Sequence, residues 1–232
     1  MARHLDLEEQ EQLDELKHFW NRYGNLITWF LIAVLGAYAA WNGWNYWQRN
    51  QAAQASVLYD EVDRAAATGD VGRVQQAFAD IKDKFGGTVY AQQAGLIAAK
   101  VLQDKGQAEP AKAALQWVAD GASDDGIRSV ARLRLAASLA DAKAYDEALK
   151  VLAGGFPKEF EALAADRRGD VLNLQGKKAE AKAEYTKAWQ GMEDEMDYRG
   201  LVEVKLTALG VDVQGLKAAQ PAVGAASAAA KS

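Results

Sequence analysis

The residues able to do chemistry are few and badly placed for it. The chain has two histidines, His4 and His18, both ahead of a long apolar stretch, and no cysteine. Everything after that stretch therefore lacks the commonest general base, the commonest metal ligand and any thiol nucleophile. No G-x-S-x-G, Gly-rich phosphate loop or HExxH occurs, so acyl transfer, phosphate cradling and zinc hydrolysis lose their usual signatures. Carboxylates are plentiful, as in Glu193-Asp194-Glu195, but they read as exposed, and a paired-carboxylate hydrolase needs one of them buried. Arg168-Gly169-Asp170 spells an adhesion tripeptide, yet it falls inside a predicted helix at a site reserved for a small residue. Packing accounts for it. The sequence predicts a chain that catalyses nothing and holds no cofactor or metal.

The elements around these residues are helical. Ala and Leu dominate the apolar half of the 232 residues, and only Pro110, Pro157 and Pro221 interrupt the chain. Such side chains lose little rotamer freedom in a helix, which predicts an all-α fold. Of the net charge of −5, −2 falls on residues 1–49 and −3 on the remainder, with no basic run. A phosphate backbone attracts clustered cations, so nucleic acid is not an expected partner.

From Tyr23 to Gln48, between Arg22 and Arg49, no residue is charged. At about 1.5 Å per residue this stretch could cover roughly 39 Å, more than the ~30 Å hydrocarbon layer of a membrane. Trp20, Trp41, Trp44 and Trp47, with Phe19, Tyr23 and Tyr46, gather at its two ends, as amphipathic rings do at headgroup depth. A soluble core helix seldom runs so far without a charge. An interfacial helix needs a charged face, which is missing. A cleaved signal peptide would use Ala37-Tyr38-Ala39, but the aromatic stretch continues past that site and the preceding segment is long and acidic. A transmembrane helix over 23–48, in contact with membrane lipid, is the better reading. Arg3, Lys17 and Arg22 precede it, and Arg49 and Arg64 follow, a small bias toward a cytoplasmic N-terminus. Ala33, Gly36, Ala37, Ala40 and Gly43 line one face of the span, a spacing that lets a second helix approach closely. Residues 1–22 form an amphipathic lead-in, with Leu5, Leu13, Leu16, Phe19 and Trp20 at helical spacing.

Residues 49–210 repeat. GDVGRVQQAFADI, GQAEPAKAALQWV, KAYDEALKVLAG and GKKAEAKAEYTKA each open a helix with a residue four positions before a larger one: Val74/Phe78, Ala111/Leu115, Ala148/Leu152 and Ala181/Tyr185. Positions 74, 111, 148 and 181 step by 37, 37 and 33, the period of a tetratricopeptide-type helix hairpin. Twelve residues upstream stand Val62, Ala99, Ala136 and Gly169, mostly small, as closely paired helices require. One hairpin cannot cover its own apolar face, so hairpins stack into a solenoid whose first helices line a groove. Lys100, Gln103, Asp104, Asp141, Asp170 and Asn173 are the polar residues expected there, with Trp117 and Trp189 in the core. The Ala-rich stretch 211–232 lacks bulky periodicity and reads as a disordered tail.

The order of these features carries a resemblance. EEQEQLDELKHFWNRYGN, a span ending GWNYWQRNQ, then QASVLYDEV, FGGTVYAQQAGLIAAK, ALQWVADGA, VARLRLAASL and DRRGDVLNLQGKKAEAKAEY together resemble the YfgM-like family, the ancillary subunits of the bacterial SecYEG translocon, over about residues 5–209. The resemblance implies a single-pass inner-membrane protein with its repeat domain in the periplasm. It also implies partners: SecYEG, a membrane-bound periplasmic chaperone of the PpiD type, and nascent secreted polypeptides. The residues by themselves leave open an assembly factor for another envelope complex, such as one of cytochrome maturation.

Overall fold

The structure, a computed structural model, describes residues 7–193 and 196–219. Among the described residues there are ten helices and no strand, as the composition predicts. The chain divides after Ala53 into two units.

The first unit is one helix, the part of α1 (Leu7–Thr68) up to residue 53. Leu26, Trp29, Phe30, Leu35, Tyr38 and Trp41 each leave more than 60% of their surface uncovered. This helix is long and apolar enough to cross a membrane, and among the described residues its large apolar side chains are exposed. Its polar groups turn inward on the backbone. Thr28 Oγ1 donates to the Gly24 carbonyl at 2.7 Å and Asn42 Nδ2 to the Tyr38 carbonyl at 3.2 Å. Such bonds satisfy side chains that would otherwise face hydrocarbon unpaired. The expected boundaries at residues 22 and 48 fall inside this helix and mark no break in it.

In the second unit the rest of α1 pairs with α2 (Val71–Phe85), α3 (Val89–Asp104) with α4 (Ala108–Gly121), α5 (Asp125–Asp141) with α6 (Tyr145–Ala153), and α7 (Lys158–Leu174) with α8 (Lys178–Gly191). Short polar caps start several of these helices. Asp70, Thr88 and Asp124 accept hydrogen bonds from the backbone N–H of Arg73, Ala91 and Ile127, each worth about 1 kcal/mol. The predicted register holds. Val74, Ala111, Ala148 and Ala181 are fully buried, as are Val62, Ala99 and Ala136. At Gly169 a Cβ would stand 2.6 Å from the Tyr185 ring. Only glycine lets α7 and α8 approach so closely.

The turns inside the hairpins repeat more strictly than the helices. Left-handed residues occur at 69, 106, 143, 176 and 210, with φ of +67°, +74°, +61°, +78° and +78°. In the last four, the next residue donates to a leucine carbonyl five back: Gln107 to Leu102, Ala144 to Leu139, Lys177 to Leu172 and Val211 to Leu206, at 2.8–3.0 Å. This is a Schellman closure, in which the left-handed residue lets the chain reverse while the helix's final carbonyls stay bonded. Three of these four turns use glycine; the remaining one uses Lys143.

The fifth turn corrects the sequence reading. The stretch expected to be disordered from 211 begins with a helix, α10 (Val213–Ala219), which follows α9 (Asp197–Ala208) across Gly210. Val213 is buried, and Val211 and Leu216 pack against the apolar cluster that includes Val202 and Leu206. The array therefore continues into a short fifth hairpin whose second helix is too small and alanine-rich to show periodicity. The remainder of the tail, 220–232, lies outside the described residues.

Candidate binding face

The first helices of successive hairpins share one face of the second unit, and two cavities open on it. The larger, of about 520 Å³, lies among α1, α3 and α5 and is lined by Tyr59, Leu96, Ile97, Lys100, Asp104 and Arg134, among others. The smaller, of about 280 Å³, lies between α5 and α7 and includes Asp141, Arg167, Asp170, Asn173, Leu174 and Tyr185. Of the six expected groove residues, Lys100 and Asp104 meet in the first cavity, and Asp141, Asp170 and Asn173 in the second. Gln103 is exposed beside them but lines neither. Lys100 Nζ and Asp104 Oδ2 pair at 2.6 Å.

Asp170 does more than face a groove. It sits at the edge of a buried charge network that the sequence reading missed. Asp166, expected to be exposed like the other carboxylates, is 1% exposed. It accepts from Lys205 Nζ at 2.8 and 2.9 Å and from the Tyr198 hydroxyl at 2.7 Å. The same ammonium donates to Asp170 Oδ1 at 2.6 Å, which also accepts from the Tyr185 hydroxyl at 2.8 Å. Arg167 Nη1 stands 3.3 Å from Asp170 Oδ2. The network ties α7 to α8 and α9. Beside it the Arg199 guanidinium lies 4.2 Å from the Trp189 ring centre, and fully buried Trp189 donates its indole N–H to Glu203 at 3.0 Å. A repeat signal marks part of the network. Asp166 occupies the position of Tyr59, Leu96 and Leu133 in earlier hairpins, and Lys205 that of Arg64, Val101, Ser138 and Val171. The carboxylate alone stands where the earlier hairpins put an apolar or aromatic residue, so the aligned repeats mark Asp166 but not its partner.

The Arg168-Gly169-Asp170 tripeptide is used internally throughout. Arg168 donates to Glu184 at 2.8 Å, to Glu161 at 3.0 Å and to the Leu152 carbonyl at 3.1 Å. Gly169 lies beneath Tyr185, and Asp170 belongs to the network.

The titration behaviour is that of a structural network. Burial, then the bond to Asp170, raises the Tyr185 pKa well above its ordinary 10.0; burial, then the bond to Asp166, does the same for Tyr198. A phenol made harder to deprotonate is a poor general acid at neutral pH. For Glu184, burial opposes charge, but hydrogen bonds from Lys187 and Arg168 outweigh it and lower the pKa below 4.5. Arg168 is likewise opposed by burial and raised overall by Glu184 and Glu161. Among the described residues, no His, Cys, Asp or Glu cluster has the arrangement of a metal site. The face offers shallow, mixed apolar and charged surface.

Sequence comparison agrees with this architecture. A family model described as a tetratricopeptide repeat-like domain matches residues 17–211. An "ancillary SecYEG translocon subunit" of Neisseria gonorrhoeae is 30% identical over 212 residues, 90% of this chain and all of that protein. Proteins of the same description from Escherichia coli and Haemophilus influenzae are each 30% identical, over 78% and 79% of this chain and 85% and 90% of their own lengths. The helix hairpins at the predicted period, the apolar N-terminal helix and these likenesses over most of each chain place the protein in one family: it belongs to the YfgM-like, tetratricopeptide repeat-containing proteins.

Proposed function

We propose that the protein is a membrane-anchored, non-catalytic scaffold of the SecYEG translocon. In this reading the apolar part of α1 spans the bacterial inner membrane with its N-terminus in the cytoplasm. The repeat domain stands in the periplasm, where its first-helix face binds a PpiD-type chaperone or an emerging secreted polypeptide. The likeness to ancillary translocon subunits, over 85–100% of their lengths, carries the reading. The exposed apolar helix and the cavity-bearing face supply its two working parts. Gly36 and Gly43 support a membrane contact through the span, since a Cβ at either would meet nothing within 4 Å in this chain. Among the described residues, neither glycine has a packing neighbour that a Cβ would meet.

The test is photocrosslinking in cells from probes at Gly36 and at Asp141, together with copurification from mild detergent. SecYEG subunits are expected with the Gly36 probe and a chaperone or secretory polypeptide with the Asp141 probe. Recovery of a different envelope complex without SecYEG, or digestion of the repeat domain by protease added from the cytoplasmic side, would overturn the assignment.

A further inference from the structure

The two cavities on the first-helix face carry the same residue type at the same repeat position, with one partner missing. Arg134 of α5 and Arg167 of α7 are equivalent by the turn register. Arg167 meets Asp170 three residues on, at 3.3 Å. The residue three after Arg134 is Ala137, and among the described residues no carboxylate lies within ion-pair distance of Arg134. Its guanidinium instead reaches across to α3, where Nη1 donates to the Leu96 carbonyl at 3.4 Å. That bond positions the side chain over the larger cavity and leaves its other N–H donors available. The other two charges in this cavity, Lys100 and Asp104, neutralise each other at 2.6 Å. Beneath them Tyr59, Leu96, Ile97 and Val101 supply an apolar bed. Its volume of about 520 Å³ falls within the roughly 300–1,000 Å³ of typical ligand pockets.

From this we infer the occupant. The cavity among α1, α3 and α5 takes a polypeptide segment that places an aliphatic or aromatic side chain on the apolar bed and a nearby carboxylate on Arg134, replacing the Asp170 that α5 lacks. This rests on the first-helix face being a protein-binding surface. A planar guanidinium held by one backbone carbonyl is suited to bidentate carboxylate recognition, which a lysine would not reproduce.

The experiment uses the full chain in detergent and fluorescent Gly/Ser peptides differing at two positions: Leu with Glu, Leu with Lys, and Ser with Glu. The Leu/Glu peptide is expected to bind about tenfold more tightly than either of the others, with affinity falling as salt rises, as one charge-assisted pair predicts. Arg134→Glu reverses the preference toward Leu/Lys, and Arg134→Gln abolishes it while leaving the contribution of Leu. Circular dichroism confirms that both exposed-site variants are folded. Equal binding of Leu/Glu and Leu/Lys, or a preference that survives Arg134→Glu, overturns the carboxylate assignment and leaves the face as a binding surface. Failure of every peptide to bind overturns the assignment and the protein-binding reading of this cavity together.

Discussion

Two junctions in the same array are built from different chemistry. Around α4, α5 and α6, Leu115, Val118, Leu135, Leu139 and Leu152 form an apolar cluster with alanines between them. Where α9 meets α7 and α8, two carboxylates, one ammonium and two phenols share the interface with apolar Val202 and Leu206. The hairpin geometry is nevertheless the same on both sides, closed by the same leucine-to-turn hydrogen bonds. Repeat geometry is therefore set by turns and by small residues at the helix crossings, and the filling between storeys can be exchanged. The exchange has consequences. An apolar junction responds to lost volume, since its stability is buried area and close contact. A charged one gains Coulomb energy but gives much of it back in desolvation, and it responds to lost partners and to pH.

The sharpest way to break this contrast is at Lys205. Lys205→Ala leaves Asp166 buried without its cation and is expected to cost about 3–5 kcal/mol in urea denaturation. Replacing Asp166, Asp170 and Lys205 together by Leu, Ala and Val, residues their positions carry elsewhere in the array, is expected to recover most of that loss. A triple variant no better than the single one would show that the network contributes more than an apolar filling. In the apolar junction Leu135→Ala is expected to cost about 3 kcal/mol through the cavity it leaves. Its effect should be the same at every pH between 5 and 9.

A smaller, pH-dependent difference follows from Glu184 and the two tyrosines. Glu184 has a folded pKa below its ordinary 4.5. Its contribution is therefore complete above 4.5 and disappears as pH falls through the lower folded value. Tyr185 and Tyr198 are shifted the other way, so their contribution is complete below 10.0 and is lost as pH rises beyond it. Denaturation midpoints should fall at both extremes, and Glu184→Gln should flatten the acid limb only. Smallest and opposite in sign is Lys143→Gly. At φ +61° a side chain is strained, so glycine is expected to raise stability by about 1 kcal/mol.

Much of the fold is legible in the residues themselves. The apolar run from Tyr23 to Gln48 and the steps of 37, 37 and 33 between register residues lie plainly in the chain. They identify the anchor and four hairpins, and of the six polar residues expected on the groove, five line the two cavities. The fifth hairpin was harder to see because α10 is seven residues long and places Gly215 where the earlier hairpins put Val or Ala. Its mark was Leu206 four residues before Gly210, the spacing of Leu102 and Gly106. The burial of Asp166 escapes a sequence reading for another reason. A single carboxylate in a helix looks solvated, and only the lysine 39 residues away makes burial affordable in energy. Pairing across hairpins leaves no local trace.

The five left-handed residues act as joints at near-constant spacing, and the phase of the chain is reset at each one. Excising 107–143 would join Gly106 to the residue that now follows Lys143 without altering the pitch on either side. Length in this architecture is thus a countable variable, open to change one storey at a time by duplication or loss, while the surfaces at the two ends of the stack are carried along unaltered.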